Sequence, residues 1–245
     1  MQERRGIGGN TSTGLLKIIA LVFMFIDHSG KMLFPHVPEM RLLGRIAFPL
    51  YAWCLAVGFE YTRSVPKYML RLLAIGLISQ PLYMLALNHT WKQPNIFLTL
   101  LIGLAALWAL RERKWGSHVW GPVLALVLAV QLDCDYGWRG VLLIMLLYAA
   151  RGSRGSIAAV MIAFCLYWGT SSGSVNGYFG LDIQRWLKRP FSELVQPWLR
   201  LQGMAILALP LMVIRLPSIR LPKWLGYGLY PAHLGVLLAL EHLMG

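Results

Sequence analysis

Charged residues are scarce in this chain, and acidic residues are the scarcest of them. Only 13% of the 245 residues are charged, whereas soluble domains carry about 25%, and 57% are hydrophobic. Ten Asp and Glu residues stand against 23 Lys and Arg residues. No polar linker is long enough to divide the chain. The composition therefore predicts an all-α, polytopic membrane helix bundle in which residues 1–245 form a single domain.

Several chemical motifs are also absent. The sequence has no Walker-type phosphate loop and no dinucleotide-binding glycine pattern after a strand, so we expect no nucleotide hydrolysis. Its three cysteines, Cys54, Cys134 and Cys165, show neither paired nor zinc-type spacing, and we expect no metal. The excess of Lys and Arg lies in short loops between apolar runs. This placement favours orientation in a membrane over binding to nucleic acid.

About nine apolar runs predict transmembrane helices, although several are shorter than the ~20 residues that a straight crossing needs. They lie near 15–34, 46–62, 68–88, 96–110, 119–132, 138–150, 156–169, 199–214 and 225–243. The cations concentrate in alternate loops, which places the N-terminus in the cytoplasm. Aromatic and leucine side chains alternate with charges over residues 181–197, a pattern typical of a helix lying in the membrane interface.

The first apolar run contains an ionisable pair, Asp27–His28. An Asp at the centre of a membrane helix costs about 2.5–3.5 kcal/mol on insertion scales, so such residues usually face a bundle interior or a wet cavity. Neighbouring helical residues point in different directions, and we therefore expect Asp27 to pair with Arg45 while His28 faces the substrate. Lys17 lies eleven residues before His28, about three helical turns, and projects from nearly the same face.

The predicted topology brings more polar residues to the outer end of the bundle. Arg41 and Arg45 are four residues apart and share a face where the second span begins. Asp133, Asp135 and Tyr136 lie in the turn between the fifth and sixth spans. We expect these side chains to converge with the histidine of the first span on one cavity that opens outwards. For the two arginines, contact with lipid headgroups is the alternative.

The last apolar run holds a second candidate site. His233 and Tyr230 are three residues apart and can share a helix face. Pro231 between them lacks a backbone N–H, so the helix can open locally at this point. A histidine beside a tyrosine in mid-membrane is an arrangement suited to proton transfer.

Four segments carry a resemblance to a known family. They are LLKIIALVFMFIDHSGKMLFP, RLLGRIAFPLYAWCLAVGFEYTRS, DYGWRGVLL and KWLGYGLYPAHL, with IDH, GRIAFP, DYG and YPxHL as the specific signatures. The chain resembles the TraX-type family of conjugative-transfer membrane proteins. It is also distantly similar to multispan acyltransferases, which carry a basic residue, ten intervening residues and then a histidine in the first span. Lys17 and His28 reproduce this spacing, and Arg41 and Arg45 match further arginine motifs weakly.

The resemblance implies a multi-pass protein of the bacterial inner membrane that acetylates the N-terminal amine of a conjugative pilin precursor, with acetyl-coenzyme A as donor. In that reaction Lys17, Arg63, Lys67 and Arg71 would hold the phosphates of coenzyme A. The imidazole of His28 would act as general base, and Arg45 or a backbone donor would stabilise the oxyanion.

Two other functions fit the same residues. In a proton-coupled transporter, Asp27, His28 and His233 would relay protons across the membrane. In a pilin assembly or chaperone subunit they would have no catalytic role. Within the enzyme hypothesis, the sequence leaves open whether the acceptor is a pilin amine, a sugar hydroxyl or a lipid headgroup, and whether the acyl group is longer than acetyl.

Overall fold

A computed structural model describes residues 6–173, 193, 195–219 and 221–244. In these residues the secondary structure is helical, without strands. The α-helices are α1 (Thr13–Met32), α2 (Pro38–Gly44), α3 (Ala47–Tyr61), α4 (Val65–Leu87), α5 (Ile96–Glu112), α6 (Ser117–Gln131), α7 (Gly137–Ala150), α8 (Arg154–Thr170), α9 (Leu209–Val213) and α10 (Lys223–Met244). Short 3-10 helices occupy Lys114–Gly116 and Gly203–Ala208.

Eight of the predicted apolar runs form helices close to their expected positions, namely α1, α3, α4, α5, α6, α7, α8 and α10. The run at 199–214 does not form one long helix. It divides into the 3-10 helix Gly203–Ala208 and the short α9, in whose first turn Pro210 has no N–H to donate. Most of the predicted interfacial helix at 181–197 lies outside the described residues.

Within the described part of the chain, three helical stretches are long and apolar enough to cross a membrane, as judged by length and composition. They are Thr13–Met32, Pro38–Tyr61 and Val65–Leu87. The second combines α2 and α3, and only α3 falls within the predicted run at 46–62. Helix α2 was not predicted; it begins at Pro38, in the first turn of a helix, where a missing N–H is tolerated.

Helix α3 lies at the centre of the bundle. It packs against α1, α5 and α7, and most of its side chains are fully buried, including Phe48, Leu50, Trp53 and Phe59. By contrast, α4 and α6 expose apolar side chains such as Leu77, Ile78, Val123 and Val127. An apolar outer face around a closely packed centre is the arrangement expected of helices surrounded by lipid.

Helices α1 and α3 run antiparallel, and this defines two ends of the bundle. At one end, the start of α1, Trp53 Nε1 donates to the carbonyl of Asn10, and Gly8 N–H donates to the carbonyl of Arg151. We call it the basic end, because the cation-rich segment that links α3 to α4 lies there. The opposite end, where α1 finishes and α2 begins, is the α2 end. Helix α10 closes the bundle by packing against α1 and α4.

A network of amides fixes the loop between α4 and α5 at the α2 end. The side chain of Asn95 caps α5 by accepting from Phe97 N–H at 3.1 Å, and its own amide donates to Gly76 O at 2.8 Å. Gln80 Oε1 accepts from Asn95 N–H at 2.9 Å, while Gln80 Nε2 donates to Gln93 O at 3.1 Å. These bonds hold both ends of the segment that carries His89.

Candidate functional site

A polar cavity of about 290 Å³ opens at the α2 end. Its walls come from the end of α1, from α2, from the α4–α5 loop and from the turn between α6 and α7. The charged and polar residues that line it include Asp27, His28, Lys31, Arg41, Arg45, Tyr83, His89, Asp135, Tyr136 and Arg139. The predicted convergence on one cavity is therefore observed for five of the six residues expected there, His28, Arg41, Arg45, Asp135 and Tyr136.

Asp133 is the exception, because it does not line this cavity. It is exposed, whereas Cys134 beside it is buried. The backbone at Asp133 has a positive φ of 46°, and a second positive φ of 52° follows at Gly137. This tight turn separates the two aspartates, so that Asp135 faces the cavity and Asp133 faces outwards. The expectation that both line one site was wrong for Asp133.

The carboxylate of Asp27 is shared by two arginines. Arg45 Nη2 donates to Oδ1 of Asp27, and Arg41 Nη1 donates to Oδ2 at 2.7 Å. The Arg45 and Asp27 side chains are only 8% and 9% exposed, whereas that of Arg41 is 31% exposed. Arg45 Nε also donates to the carbonyl of Arg41 at 3.1 Å. The predicted pairing of Asp27 with Arg45 is confirmed, and Arg41 adds a second donor.

The two candidate histidines form one site. His28 Nδ1 lies 3.0 Å from His233 Nε2, and the planes of the two rings are 17° apart. The ring of Tyr230 packs edge-on against His233, with 5.0 Å between centroids. All three side chains are buried. His28 and His233 were predicted as two separate candidate sites, whereas α10 packs against α1 and brings them together.

A larger cavity, of about 920 Å³, opens at the basic end between α1, α3, α4 and α10. The four cations expected to act together, Lys17, Arg63, Lys67 and Arg71, all line it. Tyr51, Tyr68, Tyr227 and Tyr230 contribute to the same walls. The cations are thus placed together as predicted, and their assignment to a donor molecule stays a prediction.

A small chamber of about 10 Å³ lies between the two cavities. It shares Met24, Ile96 and Tyr230 with the cavity at the basic end. It also shares Asp27, His28, Asp135 and Tyr136 with the cavity at the α2 end. This volume is about that of one probe-sized water. His28 and Tyr230 therefore stand at the narrow point between two cavities that open on opposite ends of the bundle.

Three basic side chains of the α2-end cavity were not predicted to lie there: Lys31, His89 and Arg139. Lys31 lies three residues after His28 on α1, and this spacing is a signal that could have revealed it. Arg139 follows the DYG signature closely. His89 lies in a loop, and nothing in its local sequence distinguishes it. The described part of the chain has no group of three or more His, Cys, Asp or Glu side chains placed to hold a metal.

The fold and these cavities define an all-helical protein of membrane type, with a buried histidine pair between a large cation-lined cavity and a smaller polar one. The chain belongs to the TraX protein family, whose model matches residues 12–241. No solved structure matches the chain with significance.

Curated relatives match parts of the chain. A protein of Dichelobacter nodosus, described as "Probable fimbrial assembly protein FimC, serogroup H1", is 32% identical over 167 residues, which cover 62% of this chain and 68% of the relative. An uncharacterized protein of Rickettsia prowazekii is 32% identical over 98 residues, covering 40% of this chain and 37% of the relative. Protein TraX of Escherichia coli K12 is 26% identical over 163 residues, covering 62% and 61%.

Proposed function

We propose that this chain is a membrane acetyltransferase that moves an acetyl group from acetyl-coenzyme A to an acceptor entering from the α2 end, the N-terminal amine of a pilin. The observation that carries the proposal is the position of His28 at the narrow point between two cavities on opposite ends of the bundle. A transferase that joins a donor from one side of a membrane to an acceptor on the other needs such a meeting point.

The donor enters at the basic end in this proposal. Lys17, Arg63, Lys67 and Arg71 line the larger cavity, and cations of this kind bind phosphate groups. The concentration of cations also favours a cytoplasmic location for this end, in a multi-pass protein of the bacterial inner membrane. Acetyl-coenzyme A would then lie with its phosphates at the basic end and its thioester directed towards His28.

The proposed reaction uses His28 as general base. The acceptor ammonium first loses one proton to water, and its nitrogen then attacks the carbonyl carbon of the thioester. His28 takes the second proton from that nitrogen as the carbon–sulfur bond breaks, and it returns the proton to the departing thiolate of coenzyme A. The products are an acetamide and free coenzyme A, with His28 neutral again.

His233 and the arginines would support this step. A hydrogen bond from His28 Nδ1–H to His233 Nε2 would leave His28 Nε2 unprotonated and able to accept a proton. Asp27 occupies only part of the hydrogen-bonding capacity of Arg41 and Arg45, because a guanidinium has five N–H donors. The remaining donors, or a backbone N–H, would stabilise the oxyanion that forms at the thioester carbonyl.

The choice of a pilin as acceptor rests on the family and on one relative. The family resemblance implies pilin acetylation, and the Dichelobacter nodosus relative is described as a probable fimbrial assembly protein. The α2-end cavity has a volume of about 290 Å³, so it can receive the end of a chain and cannot enclose a folded domain.

Transfer of label tests the proposal. The purified protein in lipid nanodiscs would receive acetyl-coenzyme A radiolabelled in its acetyl group, together with membranes that contain the candidate pilin. We expect labelled pilin, and we expect His28→Ala to lower the initial rate by about 10²- to 10⁴-fold, the usual contribution of a general base. His118→Ala is the matched control, because His118 is exposed on α6 and lines neither polar cavity.

The same preparation separates the alternatives. Uptake of a solute driven by a proton gradient, with no covalent product, would support a proton-coupled transporter instead. Binding of pilin that His28→Ala leaves unchanged, with no transfer of label, would support a non-enzymatic assembly subunit. Labelled lipid or sugar in place of pilin would retain the transferase and replace its acceptor.

A further inference from the structure

The α2-end cavity carries more positive charge than its carboxylates neutralise. Its walls include the four cations Lys31, Arg41, Arg45 and Arg139 and the two carboxylates Asp27 and Asp135. Asp27 is already bonded to two of the arginines. Among the described residues of the wall, Asp135 is then the only carboxylate that remains to balance the charges of Lys31 and Arg139. Neither takes part in an ion pair with another described residue.

Lys31 is held in place by His89. His89 Nδ1 lies 3.0 Å from Gln93 Oε1, and the same oxygen accepts from Thr90 N–H at 3.2 Å. Since a carboxamide oxygen can only accept, His89 Nδ1 carries the proton and its Nε2 is an acceptor. Lys31 Nζ donates to this Nε2 at 3.0 Å. One of the three N–H donors of the ammonium group thus bonds to His89, and two remain for a ligand in the cavity.

The orientation of His89 is itself restrained. Its ring stacks on that of Tyr83, with centroids 5.0 Å apart and planes at 5°. The amide network around Gln80 and Asn95 fixes the segment on which His89 lies. The histidine is therefore a positioning residue for Lys31, because its ring holds the ammonium group at the cavity wall.

Arg139 has no carboxylate partner among the described residues. Its Nε is buried and has no acceptor within hydrogen-bond distance among the described residues. The guanidinium carbon lies 5.3 Å from the ring centroid of Trp138 and 5.7 Å from that of Tyr167. Two aromatic rings thus support the planar group, and at least one of its N–H donors is left without an acceptor among the described residues. A planar guanidinium group can bind a carboxylate or another oxyanion through two parallel hydrogen bonds.

We propose that Lys31 and Arg139 form a subsite for a carboxylate of the acceptor, close in sequence to the amine that is acetylated. This inference rests on the proposed function, because it takes the α2-end cavity as the acceptor site. The acceptor is then a flexible, acidic peptide end. Its carboxylate contacts Lys31 and Arg139, and its amine reaches the chamber beside His28 and Asp135.

Two synthetic peptides test the subsite with the protein unaltered. Both are hexapeptides of alanine with a free amino terminus, and they carry either two Glu or two Gln residues directly after the first alanine. Each bears a fluorescent dye at its C-terminus, so that binding to the protein in nanodiscs is measured by anisotropy and acetylation by mass. We expect the Glu peptide to bind and react about 10- to 100-fold better, the range expected for a hydrogen bond to a charged group.

Variants of the protein test which residues cause the preference for the Glu peptide. Lys31→Gln and Arg139→Gln should each remove most of the preference for the Glu peptide and change the Gln peptide by less than about twofold. Arg139→Lys keeps the charge and should retain part of the preference, since a lysine cannot form the bidentate contact. Lys92→Gln is the matched control, because Lys92 is exposed in the α4–α5 loop and does not line the cavity.

The two readouts separate this inference from the function on which it rests. Equal acetylation and equal binding of both peptides would overturn the subsite and leave the transferase intact. Preferential binding of the Glu peptide that is lost in Arg139→Gln, without acetylation of either peptide, would support the subsite and count against the transferase. If neither peptide is acetylated and the Glu peptide binds no better than the Gln peptide, the subsite is overturned and the transferase is also contradicted.

Discussion

Asp27 Oδ1 accepts a hydrogen bond from Arg45 in the interior of the bundle, where both side chains are less than a tenth exposed. A buried charge that loses its partner is costly, by about 3–5 kcal/mol. Asp27→Asn should lower the free energy of unfolding by about this amount, because Arg45 would keep its charge without a carboxylate. Denaturant unfolding in detergent micelles measures the change.

Glu112→Gln is the control for that prediction. Glu112 forms an exposed pair with Lys114 at 3.7 Å, and exposed pairs contribute about 0–1 kcal/mol. Equal destabilisation by Asp27→Asn and Glu112→Gln would show that burial of the Asp27–Arg45 pair does not stabilise the fold.

The absence of a side chain at Gly44 leaves room for the ion pair between Asp27 and Arg45. A Cβ at this position would overlap the side chain of Asp27, including Oδ1, the oxygen that Arg45 contacts. Gly44→Ala should therefore displace Asp27 and destabilise the protein by about 1–3 kcal/mol, the usual cost of overpacking. Thermal unfolding measures the effect, with Gly235→Ala as control, since a Cβ there meets no atom within 4 Å. A Gly44→Ala protein as stable as the control would contradict the close contact.

The histidine pair should act as a unit in catalysis. His28 and His233 are 3.0 Å apart, and in the proposed reaction His233 acts only through His28, by fixing its tautomer. We expect the double variant His28→Ala/His233→Ala to lose little more activity than His28→Ala alone, as for residues that function together. Initial rates of acetyl transfer for the unaltered protein, the two single variants and the double variant form a double-mutant cycle, which gives the coupling energy between the two histidines. Multiplicative losses would mean that the two rings act independently.

The cations of the basic-end cavity should affect binding of the donor. Replacing Lys17, Arg63, Lys67 or Arg71 with Gln removes a charged contact to phosphate, and we expect KM for acetyl-coenzyme A to rise about tenfold with kcat little changed. Lys114→Gln is the control, because Lys114 does not line that cavity. Rates measured over a range of donor concentrations separate KM from kcat. A fall in kcat at constant KM would place these residues elsewhere in the mechanism.

Contacts within one stretch of sequence were predictable, and contacts between distant helices were not. Asp27 and Arg45 are 18 residues apart. An ionised carboxylate within a membrane helix pairs with a cation, and few cations lie near Asp27 in the sequence. His28 and His233 are 205 residues apart. Helical periodicity shows which face of α1 or α10 each occupies, but the depth and rotation at which the helices pack follow from side chains along their whole length.

Local turn geometry limited the remaining site predictions. Asp133 and Asp135 differ in direction because the backbone between α6 and α7 enters the left-handed region, which two aspartates spaced by one residue do not reveal. His89 owes its place to an amide network that links Gln80, Gln93 and Asn95 across the α4–α5 loop. Sequence periodicity describes helices well, and it contains no comparable rule for a loop fixed by side-chain amides.

The separation of the two histidines along the chain also orders events during synthesis. His28 lies on α1 and His233 on α10, so the helix that carries His28 leaves the ribosome long before the one that carries His233. Until α10 has inserted beside α1, His28 has no imidazole partner. A nascent chain, or one truncated before α10, would therefore hold its Asp27 ion pairs before it acquired the buried histidine pair.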